Sequence, residues 1–307
     1  MQVAVFADLE GSFGIWRMRQ CFTGTPEWQY GRECLTADVN SVIDGAFKGG
    51  ASTVTVKDTH DTGFNCLLPK LDSRASYIGG HFVKPSFFGD LSSYDLILYF
   101  AIHAAAGTPN SFFPHTHYGV FSEVLVNGKP ACEMDIYGGY LGEFGLPIGF
   151  VSGEEIATQQ ALLNLPWVKH VPVDKRKEVY TEGDTSVNYL TEGRAQLCQE
   201  AAQAVADAPH MEPLLFQGDL HFEATFRSLE LAHKFNSWHF PQYEKKVEWD
   251  SKNMREGFDK LNLLTFFPRK IYPIREPLLF FMRRFNFIKN NYFAPEPKRE
   301  GAVHEFK

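Results

Sequence analysis

Five residues combine the types and positions that divalent-metal chemistry requires: Asp8, Glu10, His60, His103 and Glu133. Carboxylate oxygens and imidazole nitrogens are ordinary donors for zinc and related ions. Three carboxylates and two imidazoles exceed the needs of one catalytic zinc, which usually keeps three protein ligands and an open position. They suit a pair of divalent ions sharing a bridging carboxylate, roughly 3.5 to 4 Å apart in two-metal hydrolases. Each residue alone has a plainer reading. An Asp after a first strand is often a cap or turn residue, and a lone His after a strand is more often structural than a ligand. The joint pattern points to a metal-dependent hydrolase rather than a binding module.

Strand ends must position these groups. The apolar run Gln2-Val3-Ala4-Val5-Phe6-Ala7 reads as a buried strand leading into a loop at Glu10-Gly11. Asp8 and Glu10 are two residues apart, so an extended chain turns them to the same side. Thr53-Val54-Thr55-Val56 leads into Lys57-Asp58-Thr59-His60, and Leu96-Ile97-Leu98-Tyr99-Phe100-Ala101-Ile102 leads into His103. In open α/β sheets, ligands gather beyond the carboxyl ends of parallel strands. Glu133 comes by a different device: Asn127-Gly128 between Val124-Leu125-Val126 and Lys129-Pro130-Ala131-Cys132 signals a hairpin, which puts Glu133 on the returning strand. Asp58 is expected to orient His60, with a turn residue as its plainer role.

Leu35, Val39, Val42, Ile43, Ala46 and Phe47 repeat at helical spacing and Gly49-Gly50 stops them, so a strand–helix–strand unit with a right-handed crossover is expected. Residues 154–163 read as a helix with an acidic start, residues 192–207 as an Ala-rich helix and residues 220–226 as a strand. Ser251 is expected to cap a helix carrying Met254, Phe258 and Leu261. The fold class is therefore α/β: a mostly parallel-sheet metal-binding domain over residues 1–165, a smaller α+β domain over residues 166–265, and a basic aromatic extension over residues 266–307. The extension holds nine Lys or Arg against four Glu, and Leu278, Phe281, Met282, Phe285 and Ile288 can form one helical stripe. A basic amphipathic helix can lie on an anionic membrane. Packing on the acidic body or on a neighbouring subunit is favoured here by the many aromatics and prolines.

Composition agrees with a cytoplasmic enzyme. With 307 residues and 44% hydrophobic content the chain can build a large core. It shows no basic leader and no apolar run of the roughly 18 residues a membrane span needs. The five cysteines, an odd number without CxxC pairing, fit reduced thiols. A net charge of -7 argues against a general nucleic-acid surface.

The stretches Phe6-Ala7-Asp8-Leu9-Glu10-Gly11, Lys57-Asp58-Thr59-His60, Ile102-His103-Ala104 and Val126-Asn127-Gly128 with Glu133 resemble the D-aminopeptidase family of DppA-like metallopeptidases in order and nearly in spacing. The resemblance spans roughly residues 1–265. It implies a binuclear zinc aminopeptidase acting on short peptides with a D-residue at the amino end and assembling into ring-shaped homo-oligomers. It also implies Asp8, Glu10, His60, His103 and Glu133 as zinc ligands and His115 as the catalytic histidine. The stretch between His103 and His115 is one residue longer than the family pattern, which leaves His117 as the alternative; the separation from Glu133 favours His115. Tyr137 stands where relatives carry Asn, and Glu154-Glu155 where they carry an Asp pair. Two other readings remain: a binuclear hydrolase of another amide or of a phosphoester, and an inactive scaffold. Phosphoester hydrolysis would want several cations near the metals, and Lys57 alone is a thin supply.

Overall fold

β1 (Gln2–Ala7) is apolar on both sides because both sides are covered. Val3, Val5 and Ala7 enter one core, Ala4 and Phe6 the other. β4 (Leu96–Ile102) is buried at all seven positions in the same way. Continuous apolar strands of this kind belong to a parallel sheet clothed on two faces. With β2 (Thr53–Asp58), β3 (Ser76–Ile78), β7 (Ile148–Glu154) and β8 (Lys169–Val173) they form a six-stranded parallel sheet in the order β3-β2-β1-β4-β7-β8. The order reverses direction between β1 and β4, the switch point where a crevice opens beyond the strand ends. Asp8 and Glu10 follow one of these two strands and His103 follows the other.

The computed structural model describes residues 1–80, 88–180, 187–235, 240–266 and position 277. The stripe expected in the C-terminal extension, residues 278–288, lies outside the described residues.

One face of the sheet carries α1 (Pro26–Lys48) and α5 (Val187–Asp207), which pack together through Leu35, Val39, Val42 and Ala46 of α1 and Leu197, Ala201 and Ala204 of α5. Thr25 starts α1 by accepting a hydrogen bond from the Trp28 amide at 3.1 Å, with Pro26 in the first turn where its missing N–H costs nothing. The opposite face carries α2 (Glu133–Gly142), α7 (Met254–Phe266) and a five-stranded antiparallel sheet. That sheet joins β5 (Phe121–Val126) and β6 (Lys129–Pro130) to β9 (Leu220–Phe226), β10 (Gln242–Tyr243) and β11 (Lys246–Ser251), in the order β10-β11-β9-β5-β6. Shorter helices α3 (Glu155–Leu162), α4 (Lys175–Tyr180) and α6 (Leu229–Phe235), with three 3-10 turns at Met18–Cys21, Leu68–Lys70 and Ala208–His210, complete the described elements. No helix among the described residues is long and apolar enough to cross a membrane.

The two layers interleave along the chain. β8 and α5, beyond residue 165, serve the parallel sheet, whereas β5 and β6, before it, serve the antiparallel one. Two local expectations are corrected. The returning strand of the 121–130 hairpin is short: after Pro130 one further cross-strand bond, from the Ala131 amide to the Val124 carbonyl at 2.9 Å, closes it, and Glu133 opens α2 instead of lying on a strand. At α7 the cap is Asn253, whose side-chain oxygen accepts from the Glu256 amide at 2.9 Å, while Ser251 ends β11.

One irregularity decides where His103 goes. Along β4, Leu96, Leu98 and Phe100 face the α1/α5 core and Ile97 and Tyr99 face the other, but Ala101 falls on the same side as Phe100 and Ile102 on the side of Tyr99. Ala101 has φ +63°, and the pairing of β4 with β7 shifts between Tyr99 and Ile102. This is a β-bulge, which inserts one residue and reverses the facing of everything after it, His103 included. Two glycines make room for it. A Cβ on Gly11 would overlap the backbone of Ala101 and Ile102, and one on Gly153 would overlap that of Ile102. Gly153→Ala should therefore cost about 2 kcal/mol or more of stability, the range of a buried overpacking change. A urea midpoint unchanged from wild type would show that the three backbones do not need this close approach.

Candidate metal centre

Asp8 stays in register with β4, its amide donating to the Phe100 carbonyl at 2.9 Å, and Gly11 donates to the Ala101 carbonyl at 2.9 Å. The loop that carries Glu10 then has its backbone satisfied by buried side chains. Phe13 donates to Asp38 at 2.9 Å, Gly14 donates to Glu178 at 2.8 Å, and Lys175 caps the Ser12 and Ile15 carbonyls. Asp58, fully buried at the end of β2, accepts from the amides of Asn65 (2.5 Å), Cys66 (3.1 Å) and His60 (3.3 Å), from the Asn65 side chain (2.9 Å) and from the Tyr77 hydroxyl (3.0 Å). It folds the loop around His60 and reaches only that residue's backbone, so the expected orientation of the His60 ring comes from elsewhere. The Cys21 carbonyl does it, 2.7 Å from Nε2. Glu133 stands in the first turn of α2, where the helix dipole favours a carboxylate, and its Oε1 accepts from the His117 amide at 2.7 Å.

The five expected donors converge. His60 Nδ1 lies 3.2 Å from Asp8 Oδ1 and 3.0 Å from Glu10 Oε2. His103 Nε2 lies 3.4 Å from Asp8 Oδ2 and 3.3 Å from Glu133 Oε1. Asp8 thus turns one oxygen to each histidine. His115 Nε2 is 3.9 Å from Glu10 Oε1, and its ring stacks on His103 with centroids 3.7 Å apart and planes 7° from parallel. His117 is placed differently. Its Nδ1 is 2.8 Å from the Tyr137 hydroxyl and its ring packs edge-on against Phe258, 5.3 Å between centroids.

The donor set fits a cation on two grounds. First, three histidines are oriented by backbone carbonyls: His60 Nε2 by Cys21, His103 Nδ1 by Ala104 at 3.2 Å, and His115 Nδ1 by Phe113 at 2.9 Å. With those nitrogens donating, the opposite nitrogens of His60 and His103 present lone pairs to carboxylate oxygens at 3.0–3.4 Å whenever the rings are neutral. Acceptor against acceptor is repulsive, and a metal ion between them turns repulsion into ligation. Second, the cluster lacks positive charge. Burial first, then the charges of Glu10 and Glu133, push the Asp8 carboxyl up to about 8. Burial disfavours the charged forms of His60 and His103, but the surrounding carboxylates outweigh it, holding His60 well above the ordinary imidazole range and His103 up at about 10. Glu10, equally buried, is held well below the usual carboxylate range by His60. By themselves these residues recruit protons, and a divalent ion supplies the same charge without them. The donors of Asp8, Glu10 and His103 lie within 4.8 Å of one another, as do those of His103, His115 and Glu133.

The cluster floors a cavity of about 440 Å³, within the range of small-ligand sites. Phe22, Thr23, Asp61, Phe113, Tyr118 and Tyr137 are among its other lining residues. Several of these carry no sequence signal, because an aromatic or a backbone carbonyl becomes part of a site only through folding. Glu154, which is not part of that lining, had a sequence signal of its own and ends β7 beside β4. Its Oε1 accepts from the Phe112 amide at 2.6 Å, which pins the loop leading to His115.

Residues 1–263 match the family described as D-aminopeptidase. The chain belongs to the D-aminopeptidase family. As a member of it, the chain is an aminopeptidase. Among curated relatives, the D-aminopeptidase of Bacillus subtilis (strain 168) is 25% identical over 272 residues, covering 86% of this chain and 97% of that protein. A solved structure, the Zn-dependent D-aminopeptidase DppA from Bacillus subtilis, described as a self-compartmentalizing protease, superposes with a TM-score of 0.74 at 21% identity and covers the same shares.

In this family member the most densely used supporting group is Asp58. Asp58→Asn replaces an acceptor of five hydrogen bonds by an amide that accepts fewer and adds donors where donors already converge. Stability should fall by about 2 kcal/mol or more, against about 1 kcal/mol for Tyr77→Phe, which removes one of the five. Denaturant titration of both variants at constant m-value checks the order; equal losses would remove Asp58 as the hub of the loop.

Proposed function

We propose that this chain is a binuclear zinc aminopeptidase that removes a D-residue from the amino end of short peptides. In this reading Asp8, Glu10, His60, His103 and Glu133 are the metal ligands and His115 is the catalytic residue. The observation that carries it is the placement of Asp8. With one oxygen toward His60 and Glu10 and the other toward His103 and Glu133, it is disposed to bridge two ions. Zinc and the D-residue are supported by the names of the relatives, and a short peptide by the size of the cavity. Assembly into a homo-oligomer is supported by the description of DppA as self-compartmentalizing, and a reducing cytoplasm by the five free cysteines. An amide substrate is favoured over a phosphoester because no Lys or Arg stands among the described residues lining the cavity.

Divalent ions bound here supply Lewis-acid polarisation of the scissile carbonyl and an acidified water. The protein's own residues do the rest. His115 is held by its Nδ1–H to the Phe113 carbonyl, so Nε2 is the atom that faces the cluster. In the metal-free cluster burial, then the charge of His103, push this imidazole down to about 4; a neutral His115 can take up a proton at Nε2 and pass it to the leaving amine. His117 has its ring turned to Tyr137 and serves Glu133 through its backbone amide.

Elemental analysis of metal-loaded protein freed of excess should return two ions per chain. A saturated value of one, unchanged by Asp8→Ala, would end the binuclear reading. His115→Ala should lower kcat by at least about a hundredfold with metal content intact, the effect of losing a proton-transfer group. If His117→Ala gave that phenotype and His115→Ala did not, the role would pass to His117. Peptides differing only in the chirality of the first residue should be cleaved faster with D than with L; the reverse order would reject the substrate and leave the metallohydrolase.

A further inference from the structure

One wall of the cavity is a ladder of rings that runs outward from the metal cluster. His103 stacks on His115 at 3.7 Å, the His115 ring lies 5.0 Å from that of Phe113, and Phe113 meets Phe22 edge-on at 5.5 Å. All four residues line the cavity, and Tyr118 joins them. Phe22 and Tyr118 are 42% and 43% exposed. Large aromatics exposed in a concave site beside reactive groups are the usual mark of an apolar ligand surface. Phe113 has a further peculiarity, a φ of +50°. For a bulky side chain that is a strained backbone, and strain of this kind collects where geometry serves a site. Here it places the Phe113 ring between His115 and Phe22 while its carbonyl orients His115 Nδ1.

We infer that Phe113, with Phe22 and Tyr118 at the mouth, forms the subsite for the side chain of the substrate's second residue, the one that departs with the leaving amine. This subsite selects aromatic and long aliphatic side chains. The inference rests on the proposed role of His115. A group that protonates the leaving nitrogen must come within about 2.6 to 3.2 Å of it. The residue bearing that nitrogen then lies against His115, and its side chain extends along the rings that continue outward from His115. The first residue would then lie over the cluster itself, where the lining is polar, with Asp8, Glu10 and His60.

The test uses metal-loaded full-length protein and two dipeptide-amide series, one with D-Ala first and Gly, Ser, Leu or Phe second, the other with the same variation in the first position and Gly second. In the first series kcat/KM for Leu and Phe should exceed that for Gly by about tenfold or more, the discrimination an apolar pocket achieves. The Phe22→Ala variant, truncated at an exposed position, should bring the Phe-to-Gly ratio down to within about threefold; Phe113→Leu should lower it as well. A flat or polar-favouring series, or a preference confined to the first position, overturns the inference. If no peptide is cleaved, the aminopeptidase reading has failed by itself, and calorimetry with phenylalanine amide against glycine amide decides the subsite. Tighter binding of the former that is lost in Phe22→Ala upholds the apolar subsite, and equal binding overturns it.

Discussion

Everything in this molecule answers to the cost of holding Asp8, Glu10 and Glu133 in one dry volume. Burial disfavours each charge and the three disfavour one another, so the Asp8 carboxyl drifts up to about 8 even with His60 and His103 beside it. Such a cluster persists only where the surrounding structure over-determines its geometry and where a cation can be taken up. The parallel sheet provides the first condition. Its central strands β1 and β4 are buried on both faces, and two cores clamp the strands whose carboxyl ends make the crevice.

Around that centre the supporting contacts are mostly to backbone. Carbonyls of Cys21, Ala104 and Phe113 set the rings of His60, His103 and His115. Side chains in turn hold the loops: Asp58 gathers the turn around His60, Lys175 and Glu178 hold the segment after Glu10, and Glu154 holds the approach to His115. The buried pair Lys175–Glu178, 2.7 Å apart, is satisfied on both sides by loop backbone, the condition under which buried charges are tolerated.

Much of the fold was legible in the residues because local rules and tertiary context agree. The runs that become β1, β2, β4 and β9 are apolar or alternate in the manner of their burial, and α1 declares itself by helical spacing and its glycine stop. The local misreadings have local causes. Glu133 was expected to continue a hairpin, but the ladder's last bond is from Ala131 to Val124, and Asp135 accepts from the Cys132 amide at 2.8 Å to begin a helix. Ser251 looked like a cap, yet β11 needs it as a paired residue opposite Leu220.

The sequence by itself determined which donors exist and that four of them follow strands, since side-chain chemistry and short-range periodicity are properties of the chain. Only the tertiary structure decided how they meet. The bulge at Ala101 sets the face of His103 and depends on Gly11 and Gly153 arriving from elsewhere in the chain. The choice between His115 and His117 for the ring that stacks over the cluster turns on Phe113 and Tyr137, distant or conformational partners that spacing cannot express. Tautomers follow from backbone carbonyls, which every residue carries, so no pattern of residue types could have announced them.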